Sequence, residues 1–458
     1  VNLPFHSSNF SEKSRDLRSS GVHEGERRHR SAISAQALAV CLGIAVLLAA
    51  IGGCSALRFV GLGGGAGAKR LKPAYPEQVG ISPVTIRDME RRIDEAITNN
   101  ATPGAVLVVA KDSRIIEEKA FGNRRTDPQN DPMTLDTIFD LASVSKIVGT
   151  ATTSMLLIED GRLHLDDRVA DIIPEFAAND KGDVKVRDLI THRSGLKAYD
   201  SWKEAEKIRG DLTQADALIK KIAGLPKLYP TGEYTVYSCL NFLTLARVNE
   251  TVAGESQNSI LKRRVWDPLG MKDTTYLLTE EQRARCAPEF KNFEEGRRLG
   301  DTHDPLAYYY QSTPEHCPGN AGLFSTAHDL SIYCQMILNG GEYGGVRVFN
   351  PETIELMTST QSILCGYDAK KKGSDGEPGR RALGWIVYQE PPYTHPAAPV
   401  DSFIGHTGYT GTYLWLDKNS KSFILLLSNS VYSKDPPQIH PYRKEVTGIY
   451  LEGLYGKI

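Results

Sequence analysis

Ser143 and Lys146 stand three residues apart in Leu141-Ala142-Ser143-Val144-Ser145-Lys146, where an apolar-periodic segment begins. On a helix, i and i+3 share a face, so hydroxyl and ammonium project to the same side. A serine hydroxyl is a weak nucleophile until a neighbouring base takes its proton. A lysine one turn away, in a site that disfavours its charge, can be that base. The start of a helix adds unpaired N–H groups and a positive dipole end, which favour an oxyanion beside Ser143. S-x-x-K alone is a loose pattern that usually marks solvated helix surface; its weight here comes from residues far downstream in the chain.

Tyr237 lies at a loop-to-helix junction, Tyr237-Ser238-Cys239, ahead of a helix expected from Phe242 to about Val252. A tyrosine there works as a general acid/base if a cation such as Lys146 lowers its pKa; otherwise it is a half-buried aromatic. His406 opens His406-Thr407-Gly408-Tyr409-Thr410-Gly411. Glycines beside a strand let a ligand approach, and bare N–H groups there can complete an oxyanion hole. Taken alone, His406 reads as a satisfied surface histidine. His192, in Thr191-His192-Arg193-Ser194-Gly195, reads as a structural residue in the last turn of a helix over 186–192, favoured there by the dipole, with Gly195 as the left-handed cap. Asp301-Thr302-His303-Asp304 lacks the spacing of a helical metal site and reads as a loop at a pocket rim.

The elements that must position these groups can be read from pattern. Ser82-Pro83 starts a helix with Ile86, Met89 and Ile93 on one face. Residues 104–110 and 115–120 read as a hairpin about the turn 111–113. Gly319 to Thr326 is a small, flexible run that caps a helix ending at Gly340-Gly341. Residues 366–381 read as an exposed mobile loop, 382–388, 413–416 and 423–427 as strands, and 443–454 as a closing helix.

The chain has 458 residues, 40% apolar and 24% charged, with a net charge of −2. That is the composition of a globular enzyme with no electrostatic footprint for nucleic acid. Arg27, Arg28 and Arg30 precede an apolar run from Ala37 to Ile51, the order of a secretory leader. Ile51-Gly52-Gly53-Cys54 resembles a lipoprotein cleavage box, which implies lipidation of Cys54. The alternative is a membrane anchor over 35–57, long enough to span a bilayer. Both readings place the remainder outside the cytoplasm. The first methionine is Met89, and a start near Val22 would give a more ordinary leader. Residues 61–67 read as a glycine-rich tether. Seven cysteines (41, 54, 239, 286, 317, 334 and 365) form no C-x-x-C pair, so zinc and thioredoxin chemistry are disfavoured and no disulfide is assignable.

Three elements in order, S-V-S-K at 143–146, Y-S-C at 237–239 and H-T-G at 406–408, resemble the serine β-lactamase and penicillin-binding-protein superfamily. The branch most similar is that of class C β-lactamases, D-aminopeptidases and family VIII esterases, supported by L-I-T-H-R-S-G-L at 189–196, G-L-F-S-T-A at 322–327 and G-H-T-G-Y-T-G at 405–411. The resemblance covers about residues 74–458. It implies an α/β (α+β) fold, an antiparallel sheet flanked by helices and built from both chain ends, with an inserted mostly helical domain. The expected divisions are a leader at 1–54, a linker at 55–73, a sheet domain at 74–142 and 376–458, and a helical domain at 143–375.

It further implies Ser143 as nucleophile, Lys146 as activating base or proton relay, and Tyr237 as second acid/base. The N–H groups of Ser143 and Tyr409 would form the oxyanion hole, and His406, Thr407, Gly408 and Cys239 would bind substrate. No metal or organic cofactor is implied. Two departures stand out: Cys239 occupies the place of an asparagine, and His406 that of a lysine. A thiol offers no amide, and a histidine carries little charge at neutral pH. Both favour ester-like substrates over carboxylate recognition. The expected function is a membrane-anchored serine hydrolase cleaving a small ester or amide through an acyl-enzyme. The alternatives are a D,D-carboxypeptidase or weak β-lactamase acting on peptidoglycan-type substrates, and a non-catalytic peptidoglycan-binding lipoprotein.

Overall fold

The computed structural model describes residues 70–293, 296–311, 315–365 and 378–457. The leader, Cys54 and the tether lie outside them. Among the described residues, no helix is long and apolar enough to cross a membrane.

The frame is one large sheet. Its strands are β1 (Lys72–Pro73), β2 (Gly104–Lys111), β3 (Arg114–Arg125), β4 (Ser362–Cys365), β5 (Pro378–Arg381), β6 (Ile386–Val387), β7 (Phe403–Thr407), β8 (Tyr413–Asp417) and β9 (Ser422–Ser428). They run in the order β1-β3-β2-β9-β8-β7-β6-β5-β4, and Asp131–Pro132 adds to the far side of β3. Every pair along this order is antiparallel except β1 with β3. The hairpin β2–β3 therefore pairs, through β2, with the last strand of the chain. The family fold, a mostly antiparallel sheet drawn from both ends with a helical insert, is the one observed. Two local expectations change. Residues 378–381 form a strand rather than part of a mobile loop, because β5 pairs with both β4 and β6. The sheet's second half accordingly starts at Ser362, earlier than the 376 boundary. Of 382–388 only β6 is strand.

The strands read as continuous apolar runs because both faces are covered. Ala105, Leu107 and Val109 of β2 pack with Ile86, Met89 and Ile93 of helix α1 (Pro83–Thr98) and Val446, Tyr450 and Leu451 of the closing helix His440–Tyr455. Val106, Val108 and Ala110 face the helical body. Strand alternation sends successive side chains to opposite faces, so an all-apolar β2 is what a middle layer requires.

The helical body carries α2 (Thr152–Glu159), α3 (Cys239–Ala253), α4 (Pro305–Tyr310) and α5 (Ala327–Leu338). Buried Asn249 of α3 accepts from Ser154 Oγ at 2.9 Å and donates to the Thr150 carbonyl at 3.1 Å, which fixes α3 against α2. The segment Gly319–Leu323 lies against α3 and the turns ahead of α2, where Thr150 Oγ1 donates to the Gly319 carbonyl at 2.9 Å and the Leu323 N–H to Ser145 Oγ at 3.1 Å. A Cβ at Gly319 would sit 1.8 Å from the Phe242 carbonyl oxygen of α3, so only glycine fits. Gly319→Ala should cost on the order of 1–3 kcal/mol of stability through this backbone clash, measured as a lowered Tm in thermal unfolding.

Candidate active site

Ser143 sits in a single 3-10 turn, Ala142–Val144, followed by a π-helical turn, Lys146–Ala151, before α2 begins. The simple helix expected from periodicity is thus tightened and then widened at the residues of interest; π turns of this kind occur often at functional sites. Ala142, just ahead of the serine, has φ +45°, an unusual backbone for a residue with a Cβ.

The expected juxtaposition is present. Lys146 Nζ donates to Ser143 Oγ at 3.1 Å and to the Asn320 carbonyl at 2.7 Å. It lies 3.7 Å from Cys239 Sγ and 4.9 Å from the centroid of the Tyr237 ring. Ser143 is half-buried and Lys146 has no exposure. The charge state differs from expectation. Burial pulls the lysine pKa down, but Cys239, Tyr237 and Asp304 outweigh it, and the net direction is upward. Lys146 therefore rests as an ammonium. An ammonium that donates to Oγ leaves the serine proton to be directed elsewhere.

Tyr237 is fixed from both sides by the loop after the helix Val186–Ile190. Val236 N–H donates to the His192 carbonyl at 2.9 Å, Ser238 N–H to His192 Nδ1 at 3.1 Å, and Ser238 Oγ to the Lys197 carbonyl at 2.7 Å. Ser238 also caps α3, which starts at Cys239, three residues earlier than periodicity alone indicates. His192 stands beyond the end of that helix, not in its last turn where the dipole was expected to favour it. It takes the left-handed conformation itself (φ +61°), and its ring is buried 4.7 Å from that of Tyr237. Burial, with Arg381 and Lys146 nearby, pushes its pKa well down, so it is neutral.

His406 lies at the end of β7 and is also buried, not a surface residue. Its Nδ1 pairs with the Thr407 carbonyl at 2.8 Å, while Nε2 has no partner. Burial, with Lys146 adding to it, lowers its pKa to about 3. Its ring is 5.9 Å from that of Tyr237. Gly408 presses on the turn that carries Ser143: a Cβ there would lie 2.0 Å from Thr412 Oγ1 and 2.6 Å from the Leu141 carbonyl. Among the described residues, the Tyr409 N–H donates to no backbone carbonyl, while the Tyr409 phenol donates to Asp435 at 2.6 Å. Cys239, Cys286, Cys317 and Cys334 are free thiols.

Two residues that spacing did not reveal join this cluster. Arg381, at the end of β5, places its guanidinium 5.9 Å from the Tyr237 ring centroid, with Nη1 buried and without a hydrogen-bond partner. Asp304 caps α4 and accepts from Asn320 Nδ2 at 2.9 Å. Arg381 fell in a segment whose composition suggested a loop, and Asp304 in one that suggested a rim. A cavity of about 800 Å³ lined by Trp202, Arg283, Arg297 and Tyr308 lies on the helical side and includes none of Ser143, Lys146 and Tyr237.

The unfolded chain binds a proton at His406 below about pH 6.5, whereas the folded chain does so only near pH 3. Between these values unfolding takes up a proton, so stability falls as pH drops from 6.5 to 3. His406→Gln should flatten this acid limb by up to about 1.4 kcal/mol per pH unit, read from denaturant unfolding of both proteins across that range.

Comparison with known proteins converges on one family. The model of the family described as "Beta-lactamase" matches residues 89–448. A protein of Escherichia coli strain K12 described as "Putative D-alanyl-D-alanine carboxypeptidase" is 29% identical over 404 residues, covering 81% of this chain and 88% of its own. The crystal structure of a penicillin-binding protein homologue from Caulobacter crescentus superposes with a TM-score of 0.62 at 19% identity, over 82% of this chain and 99% of that one. A family VIII carboxylesterase gives 0.61 at 19%, over 82% and 99%. The chain belongs to the Beta-lactamase family.

Proposed function

We propose that the chain is a serine acyl hydrolase that attacks an ester or amide carbonyl through Ser143. The observation that carries this reading is the fully buried side chain of Lys146, its Nζ 3.1 Å from Ser143 Oγ and packed against the Tyr237 ring. The ammonium stabilises the alkoxide as the serine proton departs. Tyr237 takes that proton and returns it to the leaving group. The Ser143 and Tyr409 N–H groups receive the oxyanion, and the unpartnered Nε2 of His406 faces substrate as a neutral group. Water then releases the acid from Ser143. The leader supports placing this chemistry outside the cytoplasm, and mass spectrometry of the mature N-terminus would show whether Cys54 is lipidated.

A second reading is favoured by Arg381. Carboxylate recognition is weakened by His406, yet the unpartnered Nη1 of Arg381 supplies a fixed cation beside Tyr237. A guanidinium is suited to a carboxylate. A peptide with a free C-terminal carboxylate, the substrate type named for the E. coli relative, fits that arrangement.

Ser143→Ala should abolish turnover of p-nitrophenyl esters and covalent labelling by a fluorophosphonate. Persistent labelling refutes the nucleophile, and labelling of the wild type excludes a purely binding role. Tyr237→Phe should lower kcat by roughly 10²–10⁴; a near-native rate removes it from the mechanism. Assays with neutral esters, nitrocefin and D-Ala-D-Ala peptides separate the two readings. Arg381→Gln should raise KM tenfold or more for the peptides only.

A further inference from the structure

Ser143 is preceded by a residue in a conformation that needs holding. Ala142 has φ +45° and is buried. Its N–H donates to Asp140 Oδ1 at 2.8 Å. The other carboxylate oxygen of Asp140 accepts from Thr302 Oγ1 at 3.0 Å and from the His303 N–H at 2.6 Å. Asp140 is 1% exposed, so these donors stand in place of water.

We propose that Asp140 is a positioning residue for the nucleophile: its carboxylate holds the left-handed turn at Ala142 and ties that turn to the segment that seats Lys146. The second half of the link runs through hydrogen bonds joined by short stretches of backbone. His303, on Oδ2, is followed by Asp304, which accepts from Asn320 Nδ2 at 2.9 Å; the Asn320 carbonyl takes Lys146 Nζ at 2.7 Å. One carboxylate thus fixes the serine through one oxygen and the lysine's acceptor through the other. The same turn is tied to the loop between β7 and β8, since Thr410 Oγ1 donates to the Asp140 carbonyl at 2.8 Å and Thr412 Oγ1 to that of Leu141 at 2.9 Å. Donors meet both side-chain oxygens of Asp140, so an amide of the same shape must turn its NH₂ against one of them. A carboxylate is the group this position requires.

The inference rests on the reading of Ser143 as nucleophile, and the test separates the two. Asp140→Asn should lower kcat for a p-nitrophenyl ester 10- to 100-fold per active site, counted by fluorophosphonate titration, with KM within threefold of wild type. Adding Ala142→Gly to that variant should recover at least half of the loss on a logarithmic scale, because glycine adopts positive φ without help. A loss of stability alone would not be repaired in kcat by that change. If Asp140→Asn fails to fold, Thr302→Val removes one donor and should lower kcat threefold or more at constant KM. Hydrogen exchange at residues 142–146 should quicken in either variant even if the wild type proves inactive on every ester, an outcome that would sink the hydrolase reading and not this one. Unchanged kcat, a loss that Ala142→Gly does not recover, or unaltered exchange overturns the role of Asp140.

Discussion

A fully buried ammonium is the constraint around which the site is built. Removing a lysine charge from water is costly unless the protein replaces the lost hydrogen bonds. At Lys146 the replacements are the Asn320 carbonyl and Ser143 Oγ, with the Tyr237 ring supplying its face. Each comes from a different part of the chain, and each must be delivered by its own scaffold. Asn320 arrives on a segment that only glycine allows to cross α3. Tyr237 arrives on a loop pinned to His192 and Lys197. Ser143 arrives on a left-handed turn.

The histidines show how burial assigns roles that residue type does not. His192 and His406 flank Tyr237 and both are driven neutral by burial, with the positive charge of Lys146 and Arg381 in the same small volume adding to it. The cation available to an anionic group is then Arg381, on a strand neighbouring the sheet's outer edge. His406 thus pairs with the Thr407 carbonyl as a neutral ring, while the guanidinium nearest Tyr237 sits on β5.

Much of this was legible in the sequence. Strands of unbroken apolar residues, such as 104–110 and 423–427, marked the layer covered on both faces. The pairing of Ser143 with Lys146 followed from helical spacing, even though the local helix is 3-10 and then π. What escaped depended on long-range contact. Arg381 reads as loop until β4 and β6 flank β5. The lysine's shortest hydrogen bond goes to a distant backbone carbonyl, that of Asn320, which leaves no trace in residue type. His192 was read into the last helical turn because nothing local reveals that the backbone turns left-handed there and lays the ring against Tyr237.

The placement of β2 beside β9 bears on how the chain is made. The hairpin β2–β3 and the nucleophile turn leave the ribosome early, yet their partners β7, β8 and β9 belong to the last sixty or so residues described. Sheet closure joins segments some three hundred positions apart, a high-contact-order step that is slow and leaves edges bare meanwhile. The turn that carries Ser143 cannot be completed during synthesis, because Thr410 and Thr412 are not yet there to grip it.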